Sequence, residues 1–205
     1  MSYTCVITDV HGRLNELQRL LDKVPAGAKL IFLGDYVDRG TQSCEVVELV
    51  RNLQRDRGAV CLRGNHEDMM CNPDTMFGTW MANGGSATME SYKDPLTGEI
   101  NAGLMEEHAA WFETLPTVYR DEHRVYVHAG VDPGYSLADQ PESFTQWYRY
   151  LEGADMGYRG LHVVHGHTPG IVQLANRTCL DGGKTLTCGV FHDDVAGGPV
   201  ELLWA

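Results

Sequence analysis

The sequence has no long apolar run and little positive charge. No stretch approaches the roughly 20 apolar residues of a membrane span, and the opening MSYTCVITDVHG lacks the basic region and apolar core of a signal peptide. Lys and Arg total 16 against 28 Asp and Glu, which gives a formal net charge of −12. A field of that sign repels polyanions, so we expect neither nucleic acid nor a membrane as a partner. The predicted location is the cytoplasm.

The chain also lacks paired cysteine motifs. Its six cysteines include no C-x-x-C spacing, and several lie in apolar runs, such as Cys5 in CVIT and Cys61 in AVCLRG. We therefore predict buried free thiols in a reducing compartment. The 205 residues are 43% apolar and 21% charged, which is typical of a globular protein. Residues 1–205 are predicted to form a single domain around one core.

Five short apolar runs each end in polar residues that are able to bind a metal. They are CVIT before Asp9 and His11, LIFL before Asp35, AVCL before Asn65 and His66, VYV before His128, and LHVV before His165 and His167. Such runs indicate buried strands. Helical patterns separate the first three, an order that predicts parallel strands with their carboxyl ends at one edge of a sheet. We expect the polar strand ends to converge there.

The remainder of the chain changes character twice. Residues 72–115 are predicted to be a helical insertion, with helices at 81–92 and 105–115. Residues 171–174, 178–180, 186–191 and 200–204 are predicted strands, and the turns between them favour antiparallel pairing. The fold class predicted from these patterns is α/β: a two-sheet β-sandwich flanked by helices.

The polar strand ends provide the ligands of a metal centre. They offer two carboxylates, three imidazoles and one amide oxygen, from Asp9, Asp35, His11, His128, His167 and Asn65. Such mixed ligands suit Mn²⁺, Fe or Zn²⁺ better than Ca²⁺ or Mg²⁺. A pair of metals needs a bridging carboxylate, and Asp35 is the natural choice. Arg39 offers a bidentate fork for a phosphate, and His66 beside Asp38 would make an acid for a leaving group.

Several short motifs resemble those of a known family. They are DVHG (9–12), GDYVDRG (34–40), GNHE (64–67), W-x-x-N-G-G (80–85), HAG (128–130) and GHTP (166–169). In this order they resemble the phosphoprotein phosphatases of the calcineurin-like metallophosphoesterase superfamily, and the closing GHTP resembles the bacterial and phage serine/threonine phosphatases. The resemblance spans about residues 5–190. It implies the calcineurin-like sandwich architecture and two divalent metal ions, usually Mn²⁺.

The resemblance also implies a role for each matching residue. The first metal would be held by Asp9, His11 and Asp35, and the second by Asp35, Asn65, His128 and His167. Arg39 and Arg149 would bind the phosphate. His66, oriented by Asp38, would protonate the departing alkoxide after a hydroxide bridging the metals attacks phosphorus.

Three positions depart from the family pattern. Thr8 stands where the family usually has Gly before the first Asp, and His165 replaces an apolar residue. Arg149 belongs to a short motif, QWYRYL, with Arg159 nearby. His165 therefore remains an alternative to His167 as the ligand, and Arg149 is the weakest of the assignments. Glu67 is expected to be structural or solvated, and Trp80 to be part of the core.

Three functions remain open at this point. The leading prediction is a phosphomonoesterase acting on phosphoserine or phosphothreonine in a protein or peptide, with phosphotyrosine also open. The alternative is a symmetrical bis(5′-nucleosyl)-tetraphosphatase, an enzyme that shares these motifs and acts on a dinucleoside polyphosphate. A phosphopeptide-binding protein without activity is disfavoured because Asp38 and His66 are both present. Pro169, where many nucleases have a second His, disfavours a nuclease. The oligomeric state is left open.

Overall fold

The structure, a computed structural model, describes residues 2–205 and places ten strands in two sheets. In chain order the strands are β1 (Tyr3–Ile7), β2 (Lys29–Phe32), β3 (Val60–Cys61), β4 (Val118–Arg120), β5 (Arg124–Val127), β6 (His162–His165), β7 (Val172–Gln173), β8 (Arg177–Cys179), β9 (Thr187–His192) and β10 (Glu201–Trp204). The first sheet has the order β10-β9-β1-β2-β3 and the second the order β4-β5-β6-β8-β7. Three parallel strands in each, β1-β2-β3 and β5-β6-β8, are extended by antiparallel neighbours.

Seven α-helices occur within the described residues. They are α1 (Leu14–Leu21), α2 (Ser43–Arg57), α3 (Asn65–Cys71), α4 (Pro73–Ala82), α5 (Gly85–Ser91), α6 (Ala102–Glu113) and α7 (Glu142–Thr145). In residues 2–205 no helix has the length and apolar character needed to cross a membrane. The segment predicted as a helical insertion holds α4, α5 and α6.

The alternating faces of β1 explain why two sheets and a helical layer pack together. Val6 faces the second sheet, where it joins a cluster of buried residues contributed by both sheets, including Ile31, Tyr126 and Val164. The flanking Cys5 and Ile7 face the other way, into a larger core cluster made with the helices. Burial of both faces requires apolar side chains at consecutive positions, which is why the strand reads as a continuous run. The predicted fold class is confirmed.

The local structure departs from the expectations at three points. Residues 81–92 are not one helix, because the chain breaks at Asn83 and Gly84 between α4 and α5. Strand β4 was not predicted. Strand β8 runs parallel to β6, since β7 folds back first, although the pairs β7-β8 and β9-β10 are antiparallel as expected.

Candidate active site

The loops that follow β1 and β2 are joined by backbone hydrogen bonds that prolong the pairing of the two strands. The N–H of Asp9 donates to Gly34 O at 3.2 Å, and the N–H of His11 donates to Asp35 O at 2.9 Å. The two loops therefore form one platform at the carboxyl edge of the sheet. This platform fixes the positions of three predicted ligands relative to one another.

Strained backbone is concentrated at this edge. Within residues 2–205, seven residues other than glycine have positive φ, and six of them are predicted site residues: Asp9, His11, Asp35, Asp38, Arg39 and His167. A non-glycine residue in this region costs about 1–3 kcal/mol, and it persists only where its surroundings impose it. The strain is typical of a site whose side chains must point in a specified direction.

Glu67 imposes much of that geometry. Its buried carboxylate accepts hydrogen bonds from the backbone N–H groups of Asp35, Tyr36, Val37 and Gly64 at 2.7–3.3 Å. Burial raises the pKa of this carboxyl to about 7, although the four N–H donors act in the opposite direction. Glu67 is therefore structural, as one of its two predicted roles had it, and it is not solvated. It holds the loop that carries Asp35.

Two close approaches leave room for glycine alone. A Cβ at Gly64 would overlap the carboxylate of Asp35, and a Cβ at Gly166 would overlap the side chains of Asp9 and Thr8. Both glycines belong to the motifs noted above, GNHE and GHTP. They allow the backbone of the neighbouring loops to lie directly against the candidate ligands.

Backbone carbonyls orient two of the imidazoles. His11 Nδ1 lies 2.9 Å from Val37 O, and His128 Nδ1 lies 3.1 Å from Leu33 O. A carbonyl oxygen only accepts, so each Nδ1 carries the hydrogen and each Nε2 presents a lone pair. This is the arrangement found in metal-binding histidines, whose other ring nitrogen donates to a neighbouring group.

Asp35 lies at the centre of the cluster. Its Oδ2 is 3.6 Å from His11 Nε2 and 3.7 Å from His66 Nε2, while its Oδ1 is 3.4 Å from His128 Nε2. Two groups of possible metal ligands share this residue, one with His11 and His66 and one with Asp9 and His128. A single carboxylate common to both groups suits a bridge between two ions.

Asn65 connects the second sheet to this cluster. Its Oδ1 lies 2.9 Å from His128 Nε2 and 3.1 Å from His167 Nδ1. His167 Nε2 is buried and makes no hydrogen bond with any part of the chain that the structure describes. The structure thus brings all six predicted ligands together, four from the first sheet and two from the second.

The protonation states of these groups fit divalent cations. Burial raises the pKa of Asp9, and it raises that of Asp35 strongly, with the charges of Asp9 and Glu67 adding to the effect. Burial lowers the pKa of His128 and His167 to about 3, so both imidazoles are neutral. Neutral imidazoles and ionised carboxylates are the forms that bind metal, and a bound cation would offset the cost of burying those negative charges.

The guanidinium of Arg39 contacts two imidazoles at the cluster. Its Nη1 is 2.9 Å from His11 Nε2 and its Nη2 is 3.1 Å from His66 Nε2. The guanidinium takes the lone pair that His11 would give to a metal, so these two interactions exclude each other. A cation bound at His11 frees the fork of Arg39 for an anionic ligand.

His66 is held by a carboxylate that the helical segment supports. Asp38 Oδ2 lies 2.6 Å from His66 Nδ1, while Asp38 Oδ1 accepts from Trp80 Nε1 at 2.9 Å and from Thr88 Oγ1 at 2.6 Å. Trp80 is buried, as predicted for a core residue, and its indole N–H also fixes Asp38. Thr88 could not be recognised from the sequence, because 50 residues separate it from Asp38. Nearby, the N–H of Arg39 donates to Gly84 O at 3.4 Å.

Comparison with known proteins places this site in a family. The sequence matches the calcineurin-like phosphoesterase family over residues 3–192. The chain belongs to the calcineurin-like phosphoesterases. Members of this family use two divalent metal ions, in agreement with the ligand set described above.

Two curated relatives of this calcineurin-like phosphoesterase are named symmetrical bis(5′-nucleosyl)-tetraphosphatase. The chain is 33% identical over 174 residues to the enzyme of Erwinia tasmaniensis and 32% identical over 133 residues to that of Methylococcus capsulatus. These alignments cover 81% and 63% of the chain but 58% and 44% of the relatives. The chain therefore spans about half the length of the curated relatives that it matches.

The fold of this calcineurin-like phosphoesterase also has solved counterparts. The structure of a candidate diadenosine tetraphosphatase superposes with a TM-score of 0.69 at 21% sequence identity, over 99% of this chain and 93% of that one. At this identity the likeness concerns the fold. It agrees with the two-sheet architecture.

The structure shows what surrounds the residues that depart from the family pattern. His165 points away from the ligands, since its Nε2 lies 2.8 Å from Arg177 Nη1, and it is His167 that reaches Asn65. Arg149 is exposed, and its charge contributes, after burial and His128, to the low pKa of His167. Arg159 instead donates to the carbonyls of Pro133 and Tyr135.

Thr8, the third departure, hydrogen-bonds a candidate ligand. Its Oγ1 donates to Asp9 Oδ2 at 2.5 Å, and the N–H of His167 donates to the same oxygen at 3.1 Å. We expect Thr8→Val, which keeps the shape and removes the donor, to weaken metal binding about ten-fold, the usual size of such outer interactions. Titration of the metal-free protein with Mn²⁺ measures this. Equal affinities for both proteins would show that the hydroxyl has no part in metal binding.

Proposed function

We propose that this chain hydrolyses dinucleoside tetraphosphates symmetrically, releasing two nucleoside diphosphates. The observation that supports this most is its similarity, at 32–33% identity, to two enzymes named for that reaction. The motifs alone favoured a serine/threonine protein phosphatase, but both classes share those motifs. The relatives favour the alternative, so we place the dinucleotide first and a phosphoprotein second.

The ligand cluster would hold two divalent ions. One would be held by Asp9, His11 and Asp35, and the other by Asp35, Asn65, His128 and His167. When bound, the ions supply a water of lowered pKa and positive charge for the phosphoryl oxygens. Mn²⁺ is the metal that we expect, with Fe or Zn²⁺ as alternatives, because the ligands combine oxygen and imidazole nitrogen.

Two arginines would bind the phosphoryl group. The fork of Arg39 already lies over the cluster, and on substrate binding its N–H donors would exchange the two imidazole nitrogens for phosphoryl oxygens. Arg149 is exposed, and its charge lowers the pKa of His167, so it acts on the part of the cluster that the second sheet supplies. Planar, permanently charged donors of this kind stabilise the charge of the reacting group.

His66 would deliver the proton to the leaving oxygen. Its Nδ1 hydrogen-bonds Asp38, and its Nε2 faces the cluster 3.7 Å from Asp35 Oδ2. Asp38 accepts two further hydrogen bonds, so the carboxylate cannot turn and the imidazole stays in place. The Nε2 atom is then the position from which a proton reaches the departing group.

The proposal is tested by comparing kcat/KM for diadenosine tetraphosphate with that for a phosphoserine peptide, on one Mn²⁺-loaded preparation. We expect the dinucleotide to be favoured by at least about ten-fold, because a site built for several phosphates loses those contacts with a monoester. The product should be ADP alone. A preparation of Asp35→Asn made in parallel reports contaminating phosphatase.

Two results would contradict the proposal. A preference for the peptide would restore the protein phosphatase prediction with the same candidate site. Formation of ATP and AMP would show that the cleaved bond is not the central one.

A further inference from the structure

A cavity of about 280 Å³ opens beside His11, on the outer side of the ligand cluster. Arg13, Arg39, Gly40, Gly183 and Lys184 complete its lining. Three of these residues, all in the described part of the chain, are cations, and none is a carboxylate. A concentration of positive charge in a protein of net charge −12 calls for an anionic ligand.

The first of these cations is fixed by the backbone. Arg13 donates from Nε to Val10 O at 3.0 Å, from Nη1 to Gly183 O at 3.2 Å and from Nη2 to Asp9 O at 2.5 Å. It thereby ties the loop after β1 to the turn at residues 181–184. Its remaining ion pair, with Glu16 at 3.6 Å, is partly exposed to solvent.

Lys184 stands at the end of the turn that Arg13 holds. The N–H of Gly183 donates to Asp181 Oδ1 at 2.8 Å, which sets the shape of the turn. The side chain of Lys184 is exposed and forms no hydrogen bond or ion pair within residues 2–205. Its charge is therefore available to a ligand in the cavity.

The cavity continues away from the ligand cluster. Arg13 and Gly40 also line a neighbouring space of about 410 Å³, whose walls carry the charged Glu16 and Arg19 beside amides and a hydroxyl. The cationic cavity thus lies between His11 of the ligand cluster and a larger space of mixed polar and charged lining. A polyphosphate that extends from the cluster through the cavity would reach that space.

We propose that Arg13 and Lys184 form a distal-phosphate subsite beside Arg39. The subsite holds the unreacted phosphates of a nucleoside polyphosphate while Arg39 and the ligand cluster bind the reacting phosphate. This inference rests on the proposed function. A monoester places its one phosphate at the cluster and leaves the cavity without a phosphate. A tetraphosphate extends further phosphates beyond the reacting one, and three cations in a −12 field lower the cost of bringing them there.

Lys184→Ala tests the subsite. We expect the ratio of kcat/KM for diadenosine tetraphosphate to that for p-nitrophenyl phosphate to fall about ten-fold, the loss expected for one charge-assisted hydrogen bond. Inorganic tripolyphosphate should bind the variant about ten-fold more weakly by calorimetry, a readout independent of turnover. Lys184→Arg should restore most of both losses. Metal content is measured in each preparation.

Lys93→Ala is the matched control, because Lys93 is also an exposed lysine, and it pairs with Glu90 and does not line the cavity. It should leave the substrate ratio and the tripolyphosphate affinity unchanged. Equal effects of Lys184→Ala on both substrates, or unchanged tripolyphosphate binding, would overturn the subsite. If the wild-type protein prefers a phosphopeptide, the proposed function fails, and tripolyphosphate binding still decides whether the subsite exists.

Discussion

Asp35→Asn is expected to remove most of the bound metal and to lower kcat by at least about 10³-fold, since every step needs charge stabilisation by the ions. Asp35 belongs to both groups of candidate ligands, and its side chain is buried between His11 and His128. The amide keeps the size of the carboxylate but lacks its charge. Metal analysis of the purified variant and steady-state kinetics in Mn²⁺ measure the two effects.

In the metal-free protein, Asp35→Asn should not lower the thermal stability and is expected to raise it. Burial and the charges of Asp9 and Glu67 raise the pKa of Asp35, which means that its ionised form is destabilised in the folded state. At pH 7, replacing it with a neutral amide removes that repulsion, so the melting temperature measured with chelator should rise or stay level. Asp56→Asn, an exposed change on α2, is the control. A variant that unfolds at lower temperature in chelator would contradict the predicted cost of the buried charge. A variant that retains two metals would contradict the bridging role proposed for Asp35.

His66→Asn is expected to produce a loss that depends on the leaving group. A positioned general acid contributes about 10²–10⁴-fold, so turnover of phenyl phosphate should fall within that range. The loss should be clearly smaller for p-nitrophenyl phosphate, whose leaving oxygen needs less protonation. Kinetics with a series of aryl phosphates measures the slope, and metal content should match that of the wild-type protein.

A double-mutant cycle separates Asp38 from its partner. Asp38→Asn alone should lower turnover of phenyl phosphate, but it should add little to His66→Asn, because residues that act through one another are not additive. If the two losses multiply, Asp38 acts independently of His66. If His66→Asn lowers turnover of all aryl phosphates equally, the histidine does not protonate the leaving group.

Most of the candidate ligands could be predicted from the sequence, because they follow the ends of recognisable strands. Asp9, Asp35 and Asn65 each follow a short apolar run, and the parallel order of those runs brings them to one edge of the first sheet. His128 also follows such a run, but its strand β5 belongs to the second sheet, and the packing of the two sheets brings it to the others. The fold class follows from the same runs. The resemblance favoured His167 as the ligand and left His165 as an alternative. In the structure His165 ends β6 with its Nε2 against Arg177, whereas His167 lies beyond the strand and reaches Asn65.

The supporting residues could not be predicted for a physical reason. Thr88 and Trp80 fix Asp38 across more than 40 residues, and no local periodicity encodes such a contact. For Glu67 the sequence left a structural and a solvated role open, because nothing local shows that its carboxylate lies buried against four backbone N–H groups. The left-handed residues are hidden as well, since glycine is the usual sign of positive φ and these positions are charged or imidazole side chains.

The candidate ligands come from both sheets, so the geometry of the site depends on the distance between the sheets. Asp9, Asp35 and Asn65 follow strands of the first sheet, while His128 and His167 follow strands of the second. Packed side chains such as Val6 and Val164 keep the layers at the spacing that lets these groups meet, together with the contact of His128 Nδ1 with Leu33 O. A substitution that creates a cavity or adds a methyl group between the two sheets would therefore change the metal affinity. Residues remote from the chemistry can therefore tune it without touching a single ligand.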